Sequence, residues 1–150
     1  MGMTRSKRPG AFLTDEEKAR VASAIAAAEK ETSGEIRVVI SRKVRGGVLD
    51  AAKDAFRRLK MHETRERNAV LILVATVSRA FAILGDEGVH RHLGQEGWDH
   101  IRDGMAERFR QGDVAGGLVH AVSEVGTVLA RHFPWRADDR DELPNDVVEE

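Results

Sequence analysis

The fold is decided by a run of seven apolar residues in the middle of the chain, Ala69-Val70-Leu71-Ile72-Leu73-Val74-Ala75. Because no position in this run is polar, it predicts a central β-strand that is covered on both of its faces. The chain turns over residues 76–79, and residues 80–84 predict an antiparallel neighbour of that strand. The next four residues, Gly85-Asp86-Glu87-Gly88, are expected to close the far end of this hairpin.

A second strand lies upstream, with a helix on either side of it. Thr14 and Glu17 form the pattern of a capping box, in which each side chain bonds the backbone N–H of the other, and this pattern predicts the start of a helix. Residues 35–41 alternate apolar and polar side chains, which is typical of a strand. An amphipathic helix is expected to follow Gly46-Gly47 and to lead into the central strand.

Two more helices are predicted downstream of the hairpin. Apolar side chains recur at steps of three and four from Trp98 to Phe109, and again from Val114 to Leu129. The order helix, strand, helix, strand, strand, helix, helix contains a crossover between two parallel strands, which is right-handed. We therefore expect an α/β protein, a three-layer α/β/α sandwich with a mixed, mostly parallel sheet and helices on both faces.

The composition excludes several classes of protein. The chain has 150 residues, enough for one domain, and its net charge of −1 provides no field that attracts nucleic acid. It contains no cysteine, which excludes disulfides and cysteine nucleophiles. No apolar run approaches the roughly 20 residues of a membrane span, and no signal peptide is visible. We expect no membrane insertion, a cytoplasmic location and a monomer.

Charge is distributed unevenly along the chain. A basic N-terminal tail is predicted over residues 1–11, a folded domain over 12–135 and an acidic C-terminal tail over 136–150. Both tails have the composition of solvated segments. Four apolar residues of the acidic tail are the ones expected to dock on the domain: Leu143, Pro144, Val147 and Val148. A structural domain whose acidic tail recruits a protein partner is one possible function.

Four segments form an ordered set that extends over most of the chain. They are Thr32-Ser33-Gly34-Glu35-Ile36-Arg37-Val38, Arg67-Asn68-Ala69-Val70-Leu71-Ile72-Leu73, Phe81-Ala82-Ile83-Leu84-Gly85-Asp86-Glu87-Gly88 and the stretch from Trp98 to Gly117 with Phe109-Arg110-Gln111-Gly112-Asp113. With this set the chain resembles the TPM domain family over about residues 12–135. The tail motifs Phe133-Pro134 and Glu142-Leu143-Pro144-Asn145 resemble its short, soluble, stand-alone bacterial branch.

The resemblance implies a fold and a range of functions. The fold is an α/β/α sandwich, in agreement with the pattern of helices and strands. Some TPM domains are described as acid phosphatases, several bind divalent cations such as calcium, and others serve the assembly or repair of membrane complexes. The soluble branch that this chain resembles has no settled activity to carry over.

Polar side chains are expected to meet at one edge of the sheet. If the two central strands are parallel, Glu35 and Asn68 lie at the same edge, and the antiparallel strand delivers Asp86 and Glu87 to it. Carboxylate and amide oxygens are the ligands that calcium and magnesium prefer. Together with the resemblance, this predicts a site for a divalent cation, calcium or magnesium, formed by Glu35, Asn68, Asp86 and Glu87.

A purely structural interpretation of the same residues stays open. In it, Asp86 caps the turn that follows, Asn68 closes a loop, and Glu35 pairs with Arg37 or Arg67. The loop also lacks the spaced acidic ligands of an EF-hand.

A metal-assisted phosphatase is the alternative function. Arg65, Arg67 and Arg79 are candidates to bind phosphate, and Asp86 to hold a metal or act as a base. However, Val48 follows Gly46-Gly47 where a phosphate-binding loop needs lysine, so no catalytic residue is assigned. The close histidine pair, His90 and His92, lacks the third ligand that zinc requires. We therefore predict a cation-binding interaction or regulatory module with an unidentified protein partner and no nucleic acid.

Overall fold

The polypeptide folds around a four-stranded sheet. The structure is a computed structural model that describes residues 5–42, 46–136 and 147–150. The strands are β1 (Glu35–Ser41), β2 (Ala69–Ala75), β3 (Ala80–Gly85) and β4 (Val148–Glu149), and their order across the sheet is β3-β2-β1-β4. β1 is parallel to both β2 and β4, whereas β2 and β3 are antiparallel. The sheet is therefore mixed and mostly parallel, as the sequence predicted.

Helices cover both faces of this sheet. They are α1 (Pro9–Phe12), α2 (Asp15–Glu29), α3 (Val48–Arg58), α4 (Glu87–Arg110) and α5 (Val114–His132), and a 3-10 turn spans Met61–Glu63. α3 packs on one face, and α2, α4 and α5 pack on the other, which confirms the three-layer sandwich. In the described residues, none of the helices combines the length and the apolar character that crossing a membrane demands.

The two strands that define the core follow their sequence patterns. Every residue of β2 is buried, as expected of a strand with helices on both faces. In β1, Ile36 and Val38 point into the core under α2, α4 and α5, whereas Val39 packs on the side of α3. The predicted capping box also forms, with Thr14 Oγ1 accepting from the Glu17 N–H at 3.1 Å and Glu17 Oε1 accepting from the Thr14 N–H at 2.9 Å.

The segment after β3 differs from the prediction. It was expected to close a hairpin, with the next helix near Trp98, but α4 begins directly at Glu87 because Asp86 caps it. Gly94 interrupts α4 with a φ of 67°, a value that glycine adopts without steric cost. The helical periodicity is broken at this kink, which is why the first turns were not recognised.

The C-terminal residues join the sheet. Val148 pairs with Val39 of β1, and both Val147 and Val148 are half-buried, so the expected docking of these two residues is confirmed. Glu149 lies 2.9 Å from Lys18 Nζ, and both oxygens of Glu150 accept hydrogen bonds from Arg58 at 2.6 and 2.7 Å. These contacts differ from the expectation that the acidic residues are only solvated. Leu143 and Pro144 lie outside the described residues.

Candidate functional site

Three of the four predicted ligands lie at one edge of the sheet. β1 and β2 are parallel with Glu35 opposite Ala69, so Glu35 and Asn68 are close to the same end of the two strands. β3 runs back toward this end, where Gly85 lies opposite Val70 and Asp86 follows directly. The topology therefore places Glu35, Asn68 and Asp86 as the sequence led us to expect.

Asp86 is held by an ion pair and by a helix cap. Its carboxylate accepts hydrogen bonds from Arg67, from Nε to Oδ2 at 2.7 Å and from Nη2 to Oδ1 at 2.9 Å. Oδ1 also accepts from the backbone N–H of Glu87 at 2.8 Å, which caps α4. The side chain of Asp86 is 6% exposed and that of Arg67 is 46% exposed. The bonds to Asp86 raise the pKa of the Arg67 guanidinium above its ordinary value.

Asn68 closes the loop that precedes β2. Its backbone N–H donates to Thr64 Oγ1 at 3.2 Å, and its side-chain amide donates to Ser33 Oγ at 3.2 Å. Its backbone carbonyl oxygen accepts a hydrogen bond from the backbone N–H of Glu35 at 3.3 Å and so joins the starts of β1 and β2. Asn68 is 2% exposed. These contacts are those of the structural interpretation, in which the residue orders a loop.

Glu35 belongs to a buried group of charged residues. It is 3% exposed and shares the α3 side of β1 with Arg37, which is 5% exposed. Glu29, at the end of α2, accepts a hydrogen bond from the Ile36 N–H at 2.8 Å. Burial lowers the pKa of Arg37, whereas the charges of Glu35 and Glu29 oppose that shift. Arg37 thus compensates two buried carboxylates.

The fourth predicted ligand is at the surface. The side chain of Glu87 is 65% exposed, and its Oε1 lies 3.9 Å from Nη2 of Arg91. Its remaining influence on the site is electrostatic, since its charge acts on Arg67.

In the observed arrangement the carboxylate of Asp86 is paired with Arg67. Both of its oxygens accept hydrogen bonds from the guanidinium, so a divalent cation at Asp86 would have to compete with Arg67. Within the described ranges, no three or more His, Cys, Asp or Glu side chains are grouped so that they can hold a metal ion. The two close histidines have different partners. His90 Nδ1 accepts a hydrogen bond from Trp98 Nε1 at 3.0 Å, whereas the ring of His92 stacks on that of His132.

A cleft of about 450 Å³ opens beside Asp86. It lies between α3, the 3-10 turn and the end of β3, and we refer to it as the basic cleft. Its lining residues are Lys53, Phe56, Arg57, His62, Arg67, Leu84, Gly85 and Asp86. Of the described residues in this lining, Asp86 alone carries a carboxylate, and Arg67 neutralises it. The cleft therefore combines a positively charged rim with the apolar surface of Phe56 and Leu84.

Arg67 was predicted from the sequence as a phosphate ligand, whereas the other cations of the basic cleft were not. Lys53 and Arg57 lie one turn apart on the exposed side of α3, and His62 follows in the 3-10 turn. The spacing of Lys53 and Arg57 was a signal, because residues four apart share one side of a helix. Arg65 and Arg79, the other predicted phosphate ligands, do not line the cleft.

Comparisons with known proteins agree with this architecture. The sequence matches the model of the TPM domain over residues 7–128. The chain belongs to the TPM domain family. No curated protein matches it.

Solved structures show how far the similarity of this TPM domain extends. The BA42 protein of the psychrophilic bacterium Bizionia argentinensis is 41% identical, with 97% of this chain and 100% of that chain covered and a TM-score of 0.87. The N-terminal domain of a P. gingivalis protein is 21% identical over 83% of this chain and 82% of that chain, with a TM-score of 0.65. A Corynebacterium glutamicum N-terminal domain is 16% identical over 78% and 74%, with a TM-score of 0.62. The latter two share the fold alone.

Proposed function

We propose that this TPM domain is an interaction or regulatory module that binds its ligand in the basic cleft beside Asp86. The observation that carries the proposal is the cleft itself, which joins an apolar floor to three cationic side chains, Lys53, Arg57 and Arg67. Ligand sites are concave and mostly apolar, with a few polar groups that give specificity. The proposed ligand is anionic, because Arg67 and Asp86 neutralise each other and the positive charges of Lys53 and Arg57 remain.

Differential capture from an extract of the cells that encode the protein tests this proposal. The variant Lys53→Glu/Arg57→Glu reverses two charges of the cleft. The control Arg20→Glu/Lys30→Glu makes the same change in net charge on exposed residues of α2 and its C-terminal end, on the opposite face of the sheet. We expect a partner that the wild type and the control retain and the cleft variant loses. Equal retention by all three proteins contradicts the assignment of the cleft.

A metal-assisted phosphatase is the second candidate, and the cationic rim of the cleft favours it because phosphoryl oxygens bind such groups. Among the described residues, the lining contains no serine, threonine or cysteine that could act as a nucleophile. Hydrolysis of para-nitrophenyl phosphate, measured with and without calcium or magnesium, separates the two functions. We expect no turnover above the level of an Asp86→Asn variant. Turnover that requires a metal and is lost in this variant establishes the phosphatase instead.

A divalent cation, calcium or magnesium, is the second ligand that we propose for this TPM domain. The oxygens of Glu35, Asn68 and Asp86 at one edge of the sheet support it, but Arg67 competes for Asp86. Binding to the native state alone adds about 2.7 kcal/mol to the free energy of unfolding when the ligand is at 100 times its dissociation constant. We expect a rise in melting temperature when either ion is added to chelated protein.

Two variants test where such an ion binds. Asp86→Asn removes the charge of the proposed ligand, so the rise in melting temperature is expected to disappear. Arg67→Ala removes the competing guanidinium, so the rise is expected at lower ion concentration. A rise that persists unchanged in both variants places the ion elsewhere in the chain. The cytoplasmic location and the monomeric state expected from the sequence stay predictions.

A further inference from the structure

The outer edge of β3 is open. β3 is the last strand on its side of the sheet. The Asp86 N–H donates to the Ala69 carbonyl at 2.9 Å, which fixes the phase of the antiparallel ladder. By alternation along the strand, the backbone N–H and C=O groups of Phe81, Ile83 and Gly85 point away from β2. Across the described ranges, no strand pairs with these groups.

This open edge leads directly into the basic cleft. Gly85, the last residue of β3, lines the cleft, and so does Leu84. Leu84 packs with the cluster under α3, so it marks the side of the sheet on which the cleft lies. A chain that extended β3 sideways would therefore have Phe56 and Leu84 beneath one of its faces and the cations of α3 beside it.

Exposed cations lie near both ends of β3, together with one exposed carboxylate, Glu87, at the end that leads into α4. Lys53 and Arg57 are exposed at the cleft end, and among the described residues neither of them forms an ion pair. Arg79, in the turn before β3, is exposed at the other end. β3 itself, with the sequence AFAILG, has no charged residue. A neutral edge between cations attracts an anionic chain rather than a cationic one.

We propose that the edge of β3 and the basic cleft together dock an extended acidic segment of a partner protein, which adds a strand to the sheet. The inference rests on the proposed function and names the chemistry of its partner. The partner's backbone forms hydrogen bonds with the N–H and C=O groups of Phe81, Ile83 and Gly85, as in other cases of β-strand addition. Acidic side chains on the α3 side of the added strand meet Lys53 and Arg57, whereas the alternate, apolar side chains point to the opposite side of the sheet.

The test is an NMR titration of the amide-labelled full chain with a synthetic peptide. The probe alternates glutamate and valine over the length of β3, and its ends are blocked. We expect the largest shifts at Phe81, Ile83 and Gly85, because these amides gain hydrogen bonds. We also expect the affinity to fall as salt is added, since the charges at this surface are exposed. A peptide with lysine in place of glutamate is expected to cause no such shifts.

Matched variants separate the two parts of the surface. Lys53→Glu/Arg57→Glu is expected to lower the affinity for the acidic peptide by about tenfold or more. The control Arg20→Glu/Lys30→Glu is expected to leave this affinity unchanged. A peptide N-methylated at alternate residues cannot donate to β3 and is expected to lose binding despite its full charge. The amide spectra of the cleft variant and of its control are first compared with that of the wild type, so that misfolding is recognised.

Several results overturn the inference. If the cleft variant and the wild type bind the acidic peptide equally, the cations do not contribute to binding. If the N-methylated peptide binds fully, no strand is added to the edge of β3. Sodium pyrophosphate that causes the same shifts at the same concentrations identifies a small-anion site instead. If the acidic peptide fails while capture still depends on the cleft, the proposed function stands and this inference is wrong. Loss of both removes the cleft as an interaction site.

Discussion

Arg67 donates hydrogen bonds from Nε and Nη2 to both carboxylate oxygens of Asp86, at 2.7 and 2.9 Å. The pair connects the loop before β2 to the junction of β3 and α4, because Asp86 also accepts from the Glu87 N–H at 2.8 Å. One carboxylate thus serves as ion-pair partner and as helix cap at the mouth of the basic cleft. Substitutions that keep one of these two roles distinguish between them.

We expect Asp86→Ala to lower the free energy of unfolding by about 0.5–2 kcal/mol through the lost cap alone. Asp86→Asn keeps an oxygen that caps α4 and loses the ion pair, so its effect is expected to be smaller. Urea unfolding of the two variants measures the difference. Glu87→Gln is the control, and its exposed side chain predicts a change within about 0.5 kcal/mol. Equal losses for Asp86→Ala and Asp86→Asn contradict a stabilising cap.

The fold was predictable where burial dictates the sequence. β2 is covered on both faces and is apolar at every position, whereas Ile36 and Val38 alternate with residues on the other side of β1. The dual role of Asp86 was not predictable, because an aspartate before a helix and an aspartate at a metal look alike in sequence. The decisive partner is Arg67, nineteen positions away, and only the register of β2 and β3 brings it there.

The basic cleft was not predictable from the sequence for a similar reason. Its cations come from α3, from the 3-10 turn and from the loop before β2, and each of them alone has the pattern of a solvated charge. β4 shows the same limit, since two valines between acidic residues predict docking but not a strand. Strand pairing depends on the neighbour that is available, which here is the edge of β1.

Glu17 is expected to make stability depend on acid pH. Its hydrogen bonds with Arg5, at 2.8 Å each, hold the pKa of the Glu17 carboxyl at about 2, below its ordinary value of 4.5. Because the pKa is lower in the folded state, the stabilisation is complete above about pH 4.5 and is lost as the pH falls toward 2. Urea unfolding across this range measures it.

The matched variant for this prediction is Glu17→Gln, which cannot ionise. We expect it to be less stable than the wild type near neutral pH, and the difference between the two proteins to shrink as the pH falls through the window. Other carboxylates titrate equally in both proteins, so the difference reports Glu17 alone. A difference that stays constant with pH rules out the ion pair with Arg5 as its cause.

Gly88 is expected to be essential for the position of Asp86. A Cβ at this position would lie 2.4 Å from the carbonyl oxygen of Glu66 and 2.5 Å from that of Arg67, which are backbone atoms. Gly88→Ala is therefore expected to lower the free energy of unfolding by about 1–3 kcal/mol, as overpacking does. Gly10→Ala is the control, since a Cβ there meets nothing within 4 Å. Comparable melting temperatures for the two variants would show that the loop shifts without cost.

Arg37 is expected to stabilise the folded protein by compensating the buried carboxylates of Glu35 and Glu29. Arg37→Leu fits an apolar side chain into the space but leaves the buried charges of Glu35 and Glu29 without their cation, which costs about 3–5 kcal/mol in comparable sites. Adding Glu35→Gln removes one of these charges, so the double variant is expected to recover part of the loss. Urea unfolding of both variants measures the coupling. Strictly additive effects would show that Glu35 and Arg37 act independently.

Deleting residues 147–150 is expected to destabilise the domain, although the segment belongs to an acidic tail. It removes the pairing of Val148 with Val39 and both hydrogen bonds between Arg58 and Glu150. Glu149→Gln/Glu150→Gln keeps the strand and removes the charges, and we expect only a small change because exposed ion pairs contribute about 0–1 kcal/mol each. The melting temperature should therefore fall clearly for the deletion and little for the charge variant. If the deletion melts like the wild type, the segment is a solvated tail and the pairing of β4 contributes nothing to stability.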